Sequence, residues 1–113
     1  MVLWHAYRGH SSHECIDPSV LREFWRRQDL VPESTWALGF DTPCALGSSA
    51  GERFSAHSVG HLGFTGTSFW LELDREILVV LLTNRVHPNR ESSSIKSFRP
   101  LLHNIVMETL YAQ

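Results

Sequence analysis

The residues whose types and spacing bear on chemistry fall in three places along this chain. The first is His61-Leu62-Gly63. A histidine there offers a cation or hydrogen-bond donor that would orient a substrate carboxylate or pass a proton, and Gly63, lacking a Cβ, lets a strand come close to an acyl group. Taken alone, a residue like His61 is more often an ordinary strand histidine with its hydrogen bonds satisfied than a catalytic group. The second is Ser93-Ser94-Ile95-Lys96, whose Ser-x-x-Lys spacing puts serine and lysine on one helical face. Two fixed residues in four is a match that chance supplies readily, and Ser93 or Ser94 is read as the cap of the helix that follows. The third is the His5, His10, His13, Glu14, Cys15 group. Its spacing fits no zinc arrangement, so a solvated loop is expected there and no metal. His57 and His61 are four apart, but on a strand that separates them by roughly 13 Å, too far to share an ion. No cofactor is expected.

The elements that must position these residues can be read in order. Met1 to Tyr7 is apolar and aromatic enough for the tail of a helix or a short strand, with nothing before it to start either, like a cut edge. Arg8 to Glu14 is a polar loop punctuated by Gly9. Asp17-Pro18 is a helix start, with aspartate as N-cap and proline in the first helical position. Leu21, Phe24 and Trp25 then share one face, and the helix is expected to end near Gln28. Val31 to Ser34 is a loop, and Thr35 to Phe40 has strand character weakened by Gly39. Asp41 to Ser55, rich in Gly, Ser, Thr and Pro, reads as a long surface loop of the kind that borders a site.

Ser58 to Asn84 is the structural centre, two or three strands joined by tight turns. Ile77 to Leu82 is continuously apolar and reads as a strand buried on both faces. Such a strand needs two neighbours, and this chain offers one obvious partner, Thr67 to Leu73. An unpaired strand edge is therefore expected, and with it self-association. After a polar loop from Arg85 to Ser92, the apolar residues Ile95, Phe98, Leu102, Ile105, Val106 and Leu110 keep a helical period, with Pro100 expected to kink the helix or displace its start. The whole is an α+β fold: an antiparallel β-meander of three to four strands with a C-terminal helix packed on it.

Composition narrows the function classes. The 113 residues make one domain's worth of chain, read as a single domain spanning 1–113. With 42% hydrophobic and 19% charged residues and a formal net charge of -2, the balance is that of a soluble globular protein, and no basic patch argues for nucleic acid. The longest apolar run, Ile77 to Leu82, is too short to cross a bilayer, and the N-terminus lacks the features of a signal peptide, so neither membrane nor export is expected. Cys15 and Cys44 are read as two reduced, unrelated thiols.

Three stretches together carry a resemblance: Trp36-Ala-Leu-Gly-Phe-Asp, Gly60-His-Leu-Gly-Phe-Thr-Gly-Thr-Ser-Phe-Trp and Val79-Val-Leu-Leu-Thr-Asn-Arg-Val-His-Pro with the closing helix. From Trp36 onward the chain resembles the C-terminal part of the serine β-lactamase and penicillin-binding-protein superfamily, in the branch of class C β-lactamases, D-alanyl-D-alanine carboxypeptidases and their esterase relatives. The resemblance implies a partial β-lactamase-like fold and acyl transfer to a small ester, amide or peptide substrate. It places His61-Leu62-Gly63 at the family's Lys/His-Thr/Ser-Gly motif on the strand that lines the cleft. The Phe64 amide would then be one of two oxyanion-hole donors, the other being the nucleophile's own amide. Leu62 departs from the pattern, lacking the hydroxyl that would hold a substrate carboxylate, which argues against a peptide or β-lactam and favours an esterase-like or an unknown substrate. The family's upstream Ser-x-x-Lys and its Tyr-x-Asn or Ser-x-Asn are not found in this chain. The resemblance therefore implies a chain inactive alone and completed by an N-terminal half. The other reading is a non-catalytic remnant or small binding module that keeps the fold.

Overall fold

Asp17 starts a helix because its carboxylate accepts the Ser19 amide at 2.7 Å and Pro18 fills the first helical position, where a missing N–H costs nothing. That helix, α2 (Pro18–Phe24), follows α1 (Val2–Tyr7), so residues 2–7 take the helical of the two options. The computed structural model describes residues 2–10 and 16–111; His13, Glu14 and Cys15 lie outside them. The chain divides into two compact units, 1–41 and 42–113.

In the first unit α2 ends at Phe24, short of the expected Gln28. The Gln28 side-chain amide donates to the carbonyls of Glu23 and Arg26 at 3.2 and 2.9 Å, satisfying end groups that a longer helix would have bonded itself. Leu21 and Trp25 are buried while Phe24 is exposed, so two of the three apolar residues form the packed face. Stacked rings hold the unit together: Trp4 on Tyr7, Tyr7 on Trp25 at 5.0 Å, and the edge of Phe40 on Trp25. The strand expected over Thr35–Phe40 does not form. Gly39 takes φ +74°, a left-handed turn only glycine adopts freely, and the chain folds back at once so that Trp36 bridges Asp41.

The second unit is the meander: β1 (Ser58–Leu62), β2 (Ser68–Glu72) and β3 (Ile77–Leu81), antiparallel in that order, followed by α3 (Ile95–Tyr111). Among the described residues the fold is α+β, with one three-stranded antiparallel sheet. Register sets Gly60 opposite Trp70 and Trp70 opposite Val79. Because side chains alternate, Trp70, Val79 and Ile77 share one face of the sheet, where Met107 of α3 packs with Phe54 and Ala50. Gly60 makes this possible, since a Cβ there would collide with the Trp70 ring and the Phe69 carbonyl. Glu72, fully buried on the same face, is held by Ser55 through its amide (2.7 Å) and hydroxyl (2.6 Å) and by the Ser58 hydroxyl. A buried carboxylate needs such donors.

Two expectations are corrected here. β3 is not buried on both faces: Leu78 and Val80 are 42% and 55% exposed, while Ile77, Val79 and Leu81 are half-buried toward α3. A continuously apolar run cannot reveal which of its faces has a covering layer. The 41–55 segment is irregular, as its composition indicates, but it is not confined to the surface. Ala50 and Phe54 enter the core, and its backbone is satisfied from α3, with Ser49 O bonded to His103 Nδ1 (2.8 Å) and the Glu52 amide to Asn104 Oδ1 (2.7 Å). Pro100 neither starts nor ends α3, which continues through it. Sitting in the second turn, proline removes the single donor that would have reached the Lys96 carbonyl. The backbone carbonyls of Ser93 and Ser94 open the helix, accepting the Lys96 and Phe98 amides.

Candidate functional site

β1 carries the histidine and the turn after it carries the glycine. His61 pairs with Phe69, which pairs with Val80, so these three form one row across the face opposite α3. Leu62 alternates to the other side. His61 is exposed, and it lines an open concavity of about 310 Å³ together with Gly63, Thr67, Phe69, Val80 and Leu82. Two of the three residues read as site residues from the sequence thus meet in one hollow. No metal-binding group of histidine, cysteine and carboxylate side chains occurs among the described residues.

The turn from Gly63 to Thr67 is tied at several points. The Gly63 amide donates to Thr67 O at 2.7 Å and the Gly66 amide to Gly63 O at 3.1 Å. Arg99, buried on α3, spans both ends: its Nη2 donates to Gly63 O (2.9 Å) and to Thr67 O (2.7 Å). Burial holds the Arg99 guanidinium below its ordinary pKa, with repulsion from Arg85 adding to it. Arg85 secures the turn from the other side. Its backbone amide donates to Thr65 O, its Nε donates to Phe64 O at 2.6 Å, and its guanidinium lies 4.3 Å from the centre of the Phe64 ring. Thr83 Oγ1 donates to Gly66 O.

Phe64, the third predicted site residue, therefore sits at the tip of a braced turn and is 64% exposed. Its backbone N–H has no intrachain acceptor among the described residues, which leaves it available to a ligand oxygen. Gly63 meets a demand the sequence does not reveal: a Cβ there would collide with Thr67 Oγ1. The missing side chain makes room for this hydroxyl, whether or not an acyl group also approaches.

His57 and His103 are engaged elsewhere. His57 Nδ1 lies 3.2 Å from Asp74 Oδ2, before β1 begins. His103, fully buried beneath Phe54, keeps a pKa below its ordinary value because desolvation disfavours the imidazolium, opposed by the Ser49 carbonyl and reinforced by Arg99. Cys44 is a free thiol that donates to Leu46 O. Ser93 and Lys96 are both exposed at the start of α3. No helix among the described residues is long and apolar enough to cross a membrane.

Sequence reasoning missed Thr67, Arg85 and Arg99. Thr67 has a local signal, standing just past the Gly63–Gly66 turn where a strand resumes. Arg99 has none, because its partners lie more than thirty residues away in sequence. No protein-family model, curated protein or solved structure matches the chain.

Proposed function

We propose that the chain is the C-terminal part of a β-lactamase-related serine hydrolase, of the esterase or carboxypeptidase-like kind that works by acyl transfer. In this reading it supplies one wall of the cleft. His61 orients the substrate or relays a proton, Gly63 gives close passage, and the Phe64 amide is one oxyanion-hole donor. The nucleophile and its lysine come from an N-terminal portion bearing Ser-x-x-Lys and Tyr-x-Asn, so the chain alone is inactive. The observation that carries the reading is the joint placement of His61 and Gly63 in one open hollow on the face away from α3. The unpaired edge of β3 is where a further strand, or a second copy of the chain, adds to the sheet.

Mixing the purified chain with such an N-terminal portion, encoded upstream in the same frame, is expected to produce turnover of a nitrophenyl ester. No gain over the separate portions counts against the proposal. A second reading, a non-catalytic remnant or small binding module, is favoured by the place of the only Ser-x-x-Lys match. Ser93 and Lys96 open α3, with the Lys96 amide bonded to Ser93 O, and serve as a helix start. Labelling of any serine in the isolated chain by a fluorophosphonate probe would overturn this second reading.

A further inference from the structure

A second hollow, of about 540 Å³, shares no lining residue with the one beside His61. Three parts of the second unit meet there: Glu52 and Arg53 from the irregular segment before β1, Arg75 from the turn between β2 and β3, and Met107, Glu108 and Tyr111 from the end of α3. Each part is tied to another. The Glu52 amide donates to Asn104 Oδ1 at 2.7 Å, and Arg53 Nε donates to Glu108 Oε1 at 2.8 Å. The Arg75 guanidinium lies 4.3 Å from the centre of the Tyr111 ring.

Two cations and two carboxylates line this hollow, and only one of each is paired. Arg53 and Glu108 neutralise one another. Arg75 and Glu52 share the hollow without meeting, and among the described residues neither has an ion pair. The hydrogen bonding of Arg75 amounts to one long contact, 3.4 Å from Nη1 to Arg53 O, so most of its N–H donors are unused. The Glu52 carboxylate likewise accepts nothing from the described residues. A polyanion entering here is opposed by Glu52 and a polyamine by Arg75, whereas a ligand carrying both charges is met on both. Fully buried Met107 gives the hollow an apolar floor and Tyr111 an aromatic wall. The volume falls within the range of small-molecule clefts.

We propose that this hollow binds a small zwitterion with an apolar side chain, the class of the free α-amino acids. The ligand's carboxylate meets Arg75, its ammonium meets Glu52, and its side chain lies on Met107 beside Tyr111. Stacking on the Tyr111 ring holds the Arg75 guanidinium flat and leaves its N–H edge to a planar carboxylate. The site is independent of the hydrolase reading, whose His61 and Gly63 line the other hollow.

L-phenylalanine, titrated into the chain near neutral pH and followed by NMR, is expected to give saturable shifts at the Met107 methyl and the Tyr111 ring protons on one isotherm. Two blocked derivatives each lack one charge: N-acetyl-L-phenylalanine keeps only the carboxylate, and L-phenylalanine amide only the ammonium. Each is expected to bind at least about threefold more weakly, the worth of one exposed ion pair. Arg75→Gln is expected to weaken phenylalanine by about the same factor and to leave the amide, which has no carboxylate to lose, unchanged. Glu52→Gln is expected to weaken phenylalanine likewise and to leave the N-acetyl derivative unchanged. Absence of saturable shifts at Met107 and Tyr111, a blocked derivative that binds as tightly as phenylalanine, or an Arg75→Gln loss equal for phenylalanine and its amide would each overturn the inference. The comparison of the three ligands uses the unaltered chain, so it stands even if a substitution perturbs the fold.

Discussion

If Gly63 is a glycine because of Thr67, the two positions must be energetically coupled, and the coupling can be worked out from the turn. Gly63→Ala places a Cβ against Thr67 Oγ1, with Thr67 O at 3.2 Å and Thr67 Cβ at 3.3 Å beyond it. The turn has little room to yield. The Gly63 amide is bonded to Thr67 O at 2.7 Å, and Arg99 holds both residues' carbonyls. Threonine is also stiff at χ1, so escape requires an unfavourable rotamer or an opened turn. Overpacking of this kind costs on the order of 1–3 kcal/mol, and about 2 kcal/mol is expected for Gly63→Ala. Thr67→Ala removes the colliding oxygen from a half-buried position and is expected to cost about 0.5 kcal/mol by itself, as partly exposed substitutions do. In the double variant the remaining contacts, at 3.2 and 3.3 Å, need only a few tenths of an ångström of give. Its loss is expected to stay near 1 kcal/mol, a coupling of about 1.5 kcal/mol where independent sites add to within about 0.5 kcal/mol. Urea unfolding of the four proteins, followed by far-ultraviolet circular dichroism with midpoints and slopes compared, measures it directly. If Gly63→Ala costs the same in both backgrounds, the glycine is not there for Thr67 and the packing argument fails.

Two further outcomes follow from the second unit. His103 is neutral in the folded chain, with its pKa depressed below the ordinary 6.5. Below that pH the unfolded chain binds more protons, so stability falls as pH drops from about 6.5 toward the folded-state pKa, while above it this group contributes no slope. His103→Phe keeps a ring against Phe54 and should remove that part of the slope; urea midpoints at about pH 5.5 and 7.5 check it, and an equal acid loss in both proteins refutes the assignment. Among the described residues no further strand pairs with the outer edge of β3, which carries no charge or proline from Ile77 to Leu82, so the chain should self-associate as concentration rises. Sedimentation should show this and Val80→Lys should suppress it, whereas a monomer at every concentration would argue against edge pairing.

The sequence by itself determined the parts of this fold that depend on neighbours along the chain. Asp17-Pro18 starts a helix by capping chemistry that needs two residues. The three strands and their turns follow from β-rich runs broken by glycine and acidic residues, and the 95–111 helix follows from its apolar period, which Pro100 was too near the start to break. The same local logic placed His61 on a strand, which is as far as the site was legible; Gly63, expected on that strand too, begins the turn after it.

Tertiary structure decided what those elements face. The apolar run 77–81 looks the same in sequence whether covered once or twice, and only the position of α3 makes Leu78 and Val80 an open edge face. Composition marked 41–55 as irregular, but Phe54 and Ala50 became core because Met107 and Trp70 lie where they can meet them. The strand expected at Thr35–Phe40 lost to Gly39, whose left-handed turn brings Trp36 back to Asp41. At the site the difference is sharpest. Leu62 lacks a hydroxyl in sequence, yet the hollow has one, because antiparallel pairing returns Thr67 over Gly63 and Arg99 reaches from α3 to hold it there. Contacts that close over long stretches of chain leave no periodicity to read, so packing alone could reveal them.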